Sequence, residues 1–209
     1  MIGSFIPCAE AIWNIFFLSM KPLRFLHVSK TGGQAISIIT HEQSNHRWGL
    51  LDNGVQGKLC HRLISNNDRT QNSHDYDWFM VVRNPYDRLL SEYNWHIQWH
   101  KEVIDLNTYL QRELSTLPSN DTLKGAHFTE QYRYLEDGYT IHILRFENLE
   151  QEFNQLMKDY GYSIVLNKKI NVSDKHCSMN DLTLETIQLI NRVYEKDFLR
   201  FGYHMIDCL

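Results

Sequence analysis

The sequence predicts an α/β protein with a mainly parallel central sheet flanked by helices. Residues 25–28 and 78–82 are short apolar runs, the second continuous, as expected of a strand covered on both faces. Segments at helical spacing follow the strands, the alternation that builds a parallel sheet. Both runs end in loops suited to anions, and ligands in such folds bind at the carboxyl ends of strands.

Taken in order, residues 1–20 are an N-terminal apolar segment. Its run from Ala11 to Met20, with Trp13, Phe16 and Phe17, is shorter than the ~20 residues of a membrane helix. Glu10 and Asn14 interrupt it and no positive flank precedes it, which argues against a signal peptide. A helix packed on the domain is expected there, with residues 21–209 as a single domain. After the first strand, Ile36, Ile38 and Ile39 begin a helix. Residues 45–57 read as a loop, 58–61 as a short strand or strand end, and the Asn-, Asp- and Ser-rich stretch 66–77 as turns. Beyond the second strand, Asn84 caps a helix with Pro85 at its first position. Leu89, Leu90, Tyr93 and Ile97 share one face of it. Residues 106–114 predict a further helix, 117–125 a loop and 139–146 a third strand. Leu149, Phe153, Leu156 and Met157 follow at helical spacing, and 182–201 read as one long amphipathic helix.

At 209 residues the chain has room for one domain with a real core. A formal net charge of -4 argues against a general nucleic-acid binder, which is usually basic, but not against an acidic small ligand held by local charge. Cys8, Cys60, Cys177 and Cys208 form no Cys-x-x-Cys pair and suggest no disulfide scaffold. One disulfide stays open, and with it the redox compartment. No metal site is expected: the adjacent pairs Cys60-His61 and His176-Cys177 do not have the spacing of zinc ligands.

The chemistry concentrates in two segments. Arg24-Phe-Leu-His-Val-Ser-Lys30-Thr31-Gly32-Gly33 is a strand that runs into a lysine, a hydroxyl and two glycines. The glycines let backbone N–H groups approach an anion, the lysine adds a point charge, and the next helix offers its positive end. The second is Arg83-Asn84-Pro85-Tyr86-Asp87-Arg88-Leu89-Leu90-Ser91. Arg83 can grip a phosphate with two parallel N–H bonds, and Ser91 can reach the same group. Two anion sites suggest a ligand with phosphates at two places. The lysine precedes the glycines, so this is not a Walker A loop, and no Mg²⁺-binding carboxylate pair accompanies it.

Together the segments resemble the carbohydrate sulfotransferases that use 3'-phosphoadenosine 5'-phosphosulfate (PAPS), of the Golgi and bacterial glycan type. Weaker likeness continues through Arg145-Phe146-Glu147-Asn148-Leu149 and Tyr194-Glu195-Lys196-Asp197-Phe198. The resemblance implies a three-layer P-loop-like fold and transfer of a sulfuryl group from PAPS to a carbohydrate hydroxyl, without a metal. It implies that Lys30, Thr31, Gly32, Gly33, Gln34 and Ala35 hold the 5'-phosphosulfate and that Arg83 and Ser91 hold the 3'-phosphate. Gln34 and Ala35 stand where the family usually has a small hydroxyl residue, so a hydroxyl contact is lost. A nucleotide-binding module without transfer activity is therefore the alternative, and a kinase-like phosphoryl transferase the next.

Lys30 would neutralise charge as it develops on the leaving phosphate. The base that takes the acceptor's proton is expected to be a histidine, whose pKa suits the task. His61 is the first choice, because relatives often place a histidine at that interval before the second motif. His127 is the second, in a segment resembling the acceptor side, where His127, Gln131 and Arg133 would meet substrate. His27 is expected to be buried beside the loop, and Arg88 to pair with Asp87, Glu92 or another surface acid. Tyr93, Trp95 and Trp99 are expected to pack as core, and Glu147 to serve structure at a helix start. The expected compartment is the cytoplasm, with the Golgi or a membrane as the alternative if the N-terminal segment is a truncated anchor. The sequence sets neither the acceptor nor the oligomeric state.

Overall fold

A computed structural model describes residues 20–44, 48, 61, 63–64, 73–116, 123–167 and 176–207. Residues 1–19, the loop 45–57 except Trp48, most of 58–61 and of the 66–77 turns, and Cys8, Cys60 and Cys208 fall outside these residues. Three parallel strands form one sheet in the order β1 (Leu23–Leu26), β2 (Asp77–Val82), β3 (Ile141–Arg145). Phe25 pairs with Phe79, and Phe79 with His142. Because the strands are parallel, their carboxyl ends lie along one edge of the sheet, and the loops that follow them converge there.

Helix α1 (Gly33–Gln43) follows β1, and α2 (Pro85–His100) follows β2. Then come α3 (Leu106–Ser115), α4 (Leu123–Phe128) and, after β3, α5 (Leu149–Asp159). The α/β layering expected from the sequence is what the fold shows. β2 is buried on both faces, and its alternation divides the core. Phe79 and Val81 pack with Ile36 and Ile39 of α1 and with Phe153 and Met157 of α5. Trp78, Met80 and Val82 face the other way, against Tyr134 and Phe201. A third cluster joins α2, through Tyr86, Leu89, Leu90 and Tyr93, to α3 and the C-terminal helices.

Three expectations shift. The first strand ends at Leu26, two residues early, so His27 and Val28 belong to the descent into the loop. The long C-terminal helix is two, α6 (Leu184–Val193) and α7 (Glu195–Phe201). They break at Tyr194, whose backbone (φ -105°, ψ 20°) leaves the helical range while its hydroxyl donates to the Phe128 carbonyl at 2.9 Å. Burying that ring against the end of α4 outweighs one uninterrupted helix. Third, of the aromatic stripe on α2, only Tyr93 is core. Trp99 is 68 % exposed, and Trp95 faces the site described next.

Asn84 caps α2 as expected. Its side chain accepts from the Tyr86 N–H at 3.0 Å, with Pro85 at the first helical position. The start of α2 and the loop after β1 are thereby fixed side by side. Among the described residues, no helix is long and apolar enough to cross a membrane.

Candidate active site

The loop after β1 turns sharply. Lys30 is left-handed (φ 64°), as is Gly32 (φ 87°), which caps α1 without a side-chain bond. A lysine in that conformation costs ~1–3 kcal/mol, a strain typical of functional loops. Thr31 does not reach outward: it is fully buried and donates to the Val28 carbonyl at 2.8 Å, which holds the turn shut. Gly33 lies under the His27 ring, where a Cβ would come within 2.0 Å of Nε2. Gly32 lies against Phe146 and Leu149. The N–H groups of Gly33 and Gln34 open α1 and have no intrahelical acceptor. The Ala35 N–H is already bonded to the Gly32 carbonyl at 2.9 Å, so it is not part of an open cradle. Gln34 is exposed and Ala35 is buried.

Arg83, just past β2, meets this loop. Its Nη1 donates to the Lys30 carbonyl at 3.2 Å, and its guanidinium lies 4.2 Å from the centre of the Phe146 ring. Its Nε is buried without a hydrogen-bond partner, and among the described residues it forms no ion pair, with Asp87 or any other acid. An orphaned guanidinium nitrogen on a side chain that touches the turn leading into α1 is what an anion would satisfy. Burial is the main influence holding the Arg83 pKa below its ordinary value, offset in part by Asp87 and Glu147. Lys30 is also depressed, to about 8, first by burial and then by Arg83, with Glu92 acting against them. Its Nζ sits 5.2 Å from the centre of the Trp95 ring.

The weaker sequence motifs prove to be braces. Glu147 accepts from the Asn84 N–H and from the Tyr203 hydroxyl, each at 2.9 Å, tying the loop after β3 to the start of α2. Asp197 is buried and accepts from the N–H groups of Gln131 (2.9 Å) and Tyr132 (2.8 Å). The Gln131 side chain accepts from the Arg83 N–H and donates to the Arg83 carbonyl, both at 2.9 Å. Fully buried and so engaged, Gln131 stands behind Arg83 as a clamp and presents nothing to open space. Arg133 is exposed and pairs with Glu130 at 2.7 Å. Ser91 lies half-buried on α2, one turn beyond Arg88.

Arg88 departs most from its expectation. It is 1 % exposed and pairs with no surface acid; its Nε donates to the Ser29 carbonyl (3.2 Å) and its Nη2 to the carbonyls of His127 (2.9 Å) and Thr129 (2.8 Å). One helical turn on, Glu92 is 2 % exposed and its Oε2 accepts from His127 Nδ1 at 2.9 Å. Burial pushes the Glu92 carboxyl upward, but the His127 bond, Lys30 and Arg88 together hold it below the ordinary range. Arg88, Ser91, Glu92 and Trp95 fall at helical spacing, so one face of α2 carries the site while the opposite face carries Leu89, Leu90 and Tyr93 into the core.

His61 and His27 complete a histidine cluster with His127. The His61 ring is 4.3 Å from that of His27 and 5.4 Å from that of His127, and its Nδ1 donates to the His27 carbonyl at 3.0 Å. Burial, then His127 and Arg88, bring its pKa down to about 4. His27 is also held well below 6.5, first by burial, and its Nδ1 has no partner among the described residues. The structure thus brings together Lys30, Gly32, Gly33, Gln34, Arg83, His61 and His127, and leaves Arg133 outside. Glu92, Arg88 and Phe146 were not foreseen as site residues. The only signal for Glu92 is its place between Arg88 and Trp95 at helical spacing.

An open parallel sheet with a Lys-Thr-Gly-Gly turn and a strand-end arginine converging at its carboxyl edge defines an α/β protein with a P-loop-like arrangement. Residues 13–163 match the sulfotransferase family. The chain belongs to that family, and sulfuryl transfer is the activity the family implies. Among curated proteins no match is found.

Proposed function

We propose that this protein transfers the sulfuryl group of PAPS to a hydroxyl of a carbohydrate acceptor. The observation that carries the donor side is the meeting of Arg83 with the Lys30 carbonyl, in the turn that leads into α1, with its buried Nε left unsatisfied. Lys30 and the backbone at Gly33 and Gln34 take the phosphosulfate, and Arg83 with Ser91 takes the 3'-phosphate. Thr31 shapes the loop from within. A carbohydrate acceptor is supported by the sequence resemblance, and the half-buried Trp95 beside His127 offers a ring face on that side.

Transfer needs the acceptor oxygen in line with the bond between sulfur and the departing phosphate. Holding both reactants so supplies much of the acceleration. Charge grows on the leaving phosphate, where Lys30 is placed to neutralise it.

Calorimetric titration with adenosine 3',5'-bisphosphate tests the donor site, with AMP and ATP as controls. Binding that requires the 3'-phosphate and falls by about 10- to 100-fold in Arg83→Ala supports the reading. Equal binding of AMP, or preference for ATP with Mg²⁺, removes it. Tight binding with no sulfated product across a broad glycan panel would instead favour a nucleotide-binding module, the reading prompted by Gln34 and Ala35.

A further inference from the structure

We propose that His127, aligned by Glu92, is the group that takes the proton from the acceptor hydroxyl, and that Glu92 is a positioning residue for it. This rests on the sulfotransferase reading and names the base within it.

An ionised carboxylate only accepts hydrogen bonds, so the 2.9 Å contact between Glu92 Oε2 and His127 Nδ1 places a proton on Nδ1. The lone pair of a neutral His127 is then on Nε2. The ring cannot turn freely: Trp95 lies 4.9 Å away and His61 5.4 Å away, both edge-on. The backbone is fixed as well, since Arg88 holds the carbonyls of His127 and Thr129. Tautomer, ring plane and position are all set before any substrate arrives.

His61 is buried to the same degree but differs in its partner. Its Nδ1 faces the neutral carbonyl of His27, so an imidazolium formed there has no carboxylate to meet it. Burial and the charges of His127 and Arg88 oppose protonation there, against the His27 carbonyl bond and the more distant Glu92. At His127 the facing groups are the Glu92 carboxylate on Nδ1, the guanidinium of Arg88 on the carbonyl, and the rings of His61 and Trp95. Lys30 lies over that same Trp95 and feels Glu92 too. Of His61 and His127, it is His127 that has a bonded carboxylate to compensate a captured proton.

In the step, the acceptor oxygen forms a bond to sulfur while sulfur's bond to the 5'-phosphate oxygen breaks. The hydroxyl proton passes to His127 Nε2, and the electron pair of the broken bond leaves on the phosphate of adenosine 3',5'-bisphosphate. Nothing is oxidised or reduced. Glu92 stays ionised and stabilises the imidazolium through Nδ1.

The test uses the full chain and first titrates adenosine 3',5'-bisphosphate. Absence of binding overturns the sulfotransferase reading and the proposal with it. Given binding, NMR of isotope-labelled imidazole nitrogens reads the tautomer of each histidine without any acceptor. His127 should carry its proton on Nδ1, and Glu92→Gln, which keeps the shape but whose amide can donate as well as accept, should release that preference. A His127 that carries its proton on Nε2, or a preference that Glu92→Gln does not alter, overturns the proposal and leaves the donor reading intact. With radiolabelled PAPS and a glycan panel, His127→Asn should lose about 10²–10⁴-fold in transfer while donor affinity holds. Glu92→Gln should lose part of that rate and Glu92→Asp should regain some of it. Near-normal transfer by His127→Asn, with the loss appearing in His61→Asn, would assign the proton to His61 instead.

Discussion

The two halves of the site differ in how complete they are. On the donor side, polar groups wait for partners: the Arg83 Nε is buried and unbonded, Lys30 forms no ion pair among the described residues, and the first N–H groups of α1 point outward. On the proposed acceptor side the charged groups are already matched, with Arg88 on three carbonyls and His127 on Glu92. Under the proposed function, the first side would be completed by a ligand that brings several negative charges, and the second would need only a hydroxyl.

The largest effect is expected from breaking the donor side at its tightest point. Gly33→Ala drives a methyl group into the His27 ring, which cannot yield without leaving its place on the loop. Stability should fall by about 3 kcal/mol, and donor binding should be lost. Adding His27→Ala should recover part of both in denaturation and titration experiments. Unchanged donor affinity in the single variant would show that the loop does not need this packing.

Next, acid should distinguish the two sides. An unfolded histidine takes a proton near pH 6.5, whereas folded His61 stays neutral until about pH 4. Between those values the unfolded chain binds more protons, so stability is lost as pH falls through this window, by at most about 3 kcal/mol from His61. His61→Asn should flatten that part of a stability–pH curve.

At alkaline pH the donor side responds instead. Lys30 loses its charge near pH 8, so affinity for adenosine 3',5'-bisphosphate should drop by about tenfold from pH 8 to pH 9.5. Lys30→Met should bind less tightly and without that slope; a slope persisting in the variant would place the titrating group elsewhere. The smallest effect is expected from Gln34→Ser. It returns a hydroxyl to the open end of α1 and should tighten donor binding by no more than about tenfold, the net worth of one ordinary hydrogen bond.

Much of this was legible in the chain because it is local. Asn84-Pro85 marks the start of α2 by cap chemistry alone, and the buried run of β2 needs no partner to be recognised. Lys30 to Gly33 announces a turn through its glycines, although the sequence does not say that Thr31 bonds inward. What was illegible depends on distant partners. Arg88 and Glu92 look like exposed charges on an amphipathic helix. They are buried because Ser29 and His127, 59 and 39 residues from Arg88, arrive to meet them. The break at Tyr194 has the same origin, since the Phe128 carbonyl that holds its hydroxyl lies 66 residues away. Gln131 reads as a substrate contact by its neighbours in sequence, yet its amide is spent on Arg83.

The single guanidinium of Arg88 also bears on how such a site can be moved or copied. Ser29 and His127, joined further by the Ser29 hydroxyl on the His127 carbonyl at 3.2 Å, are 98 residues apart in the chain. The turn that would hold the donor and the histidine that would receive the proton are therefore halves of one knot, tied at its centre by one side chain. Grafting the Lys-Thr-Gly-Gly turn onto another scaffold would carry over its backbone shape and leave that knot behind. A transplant that works has to bring α2 with it.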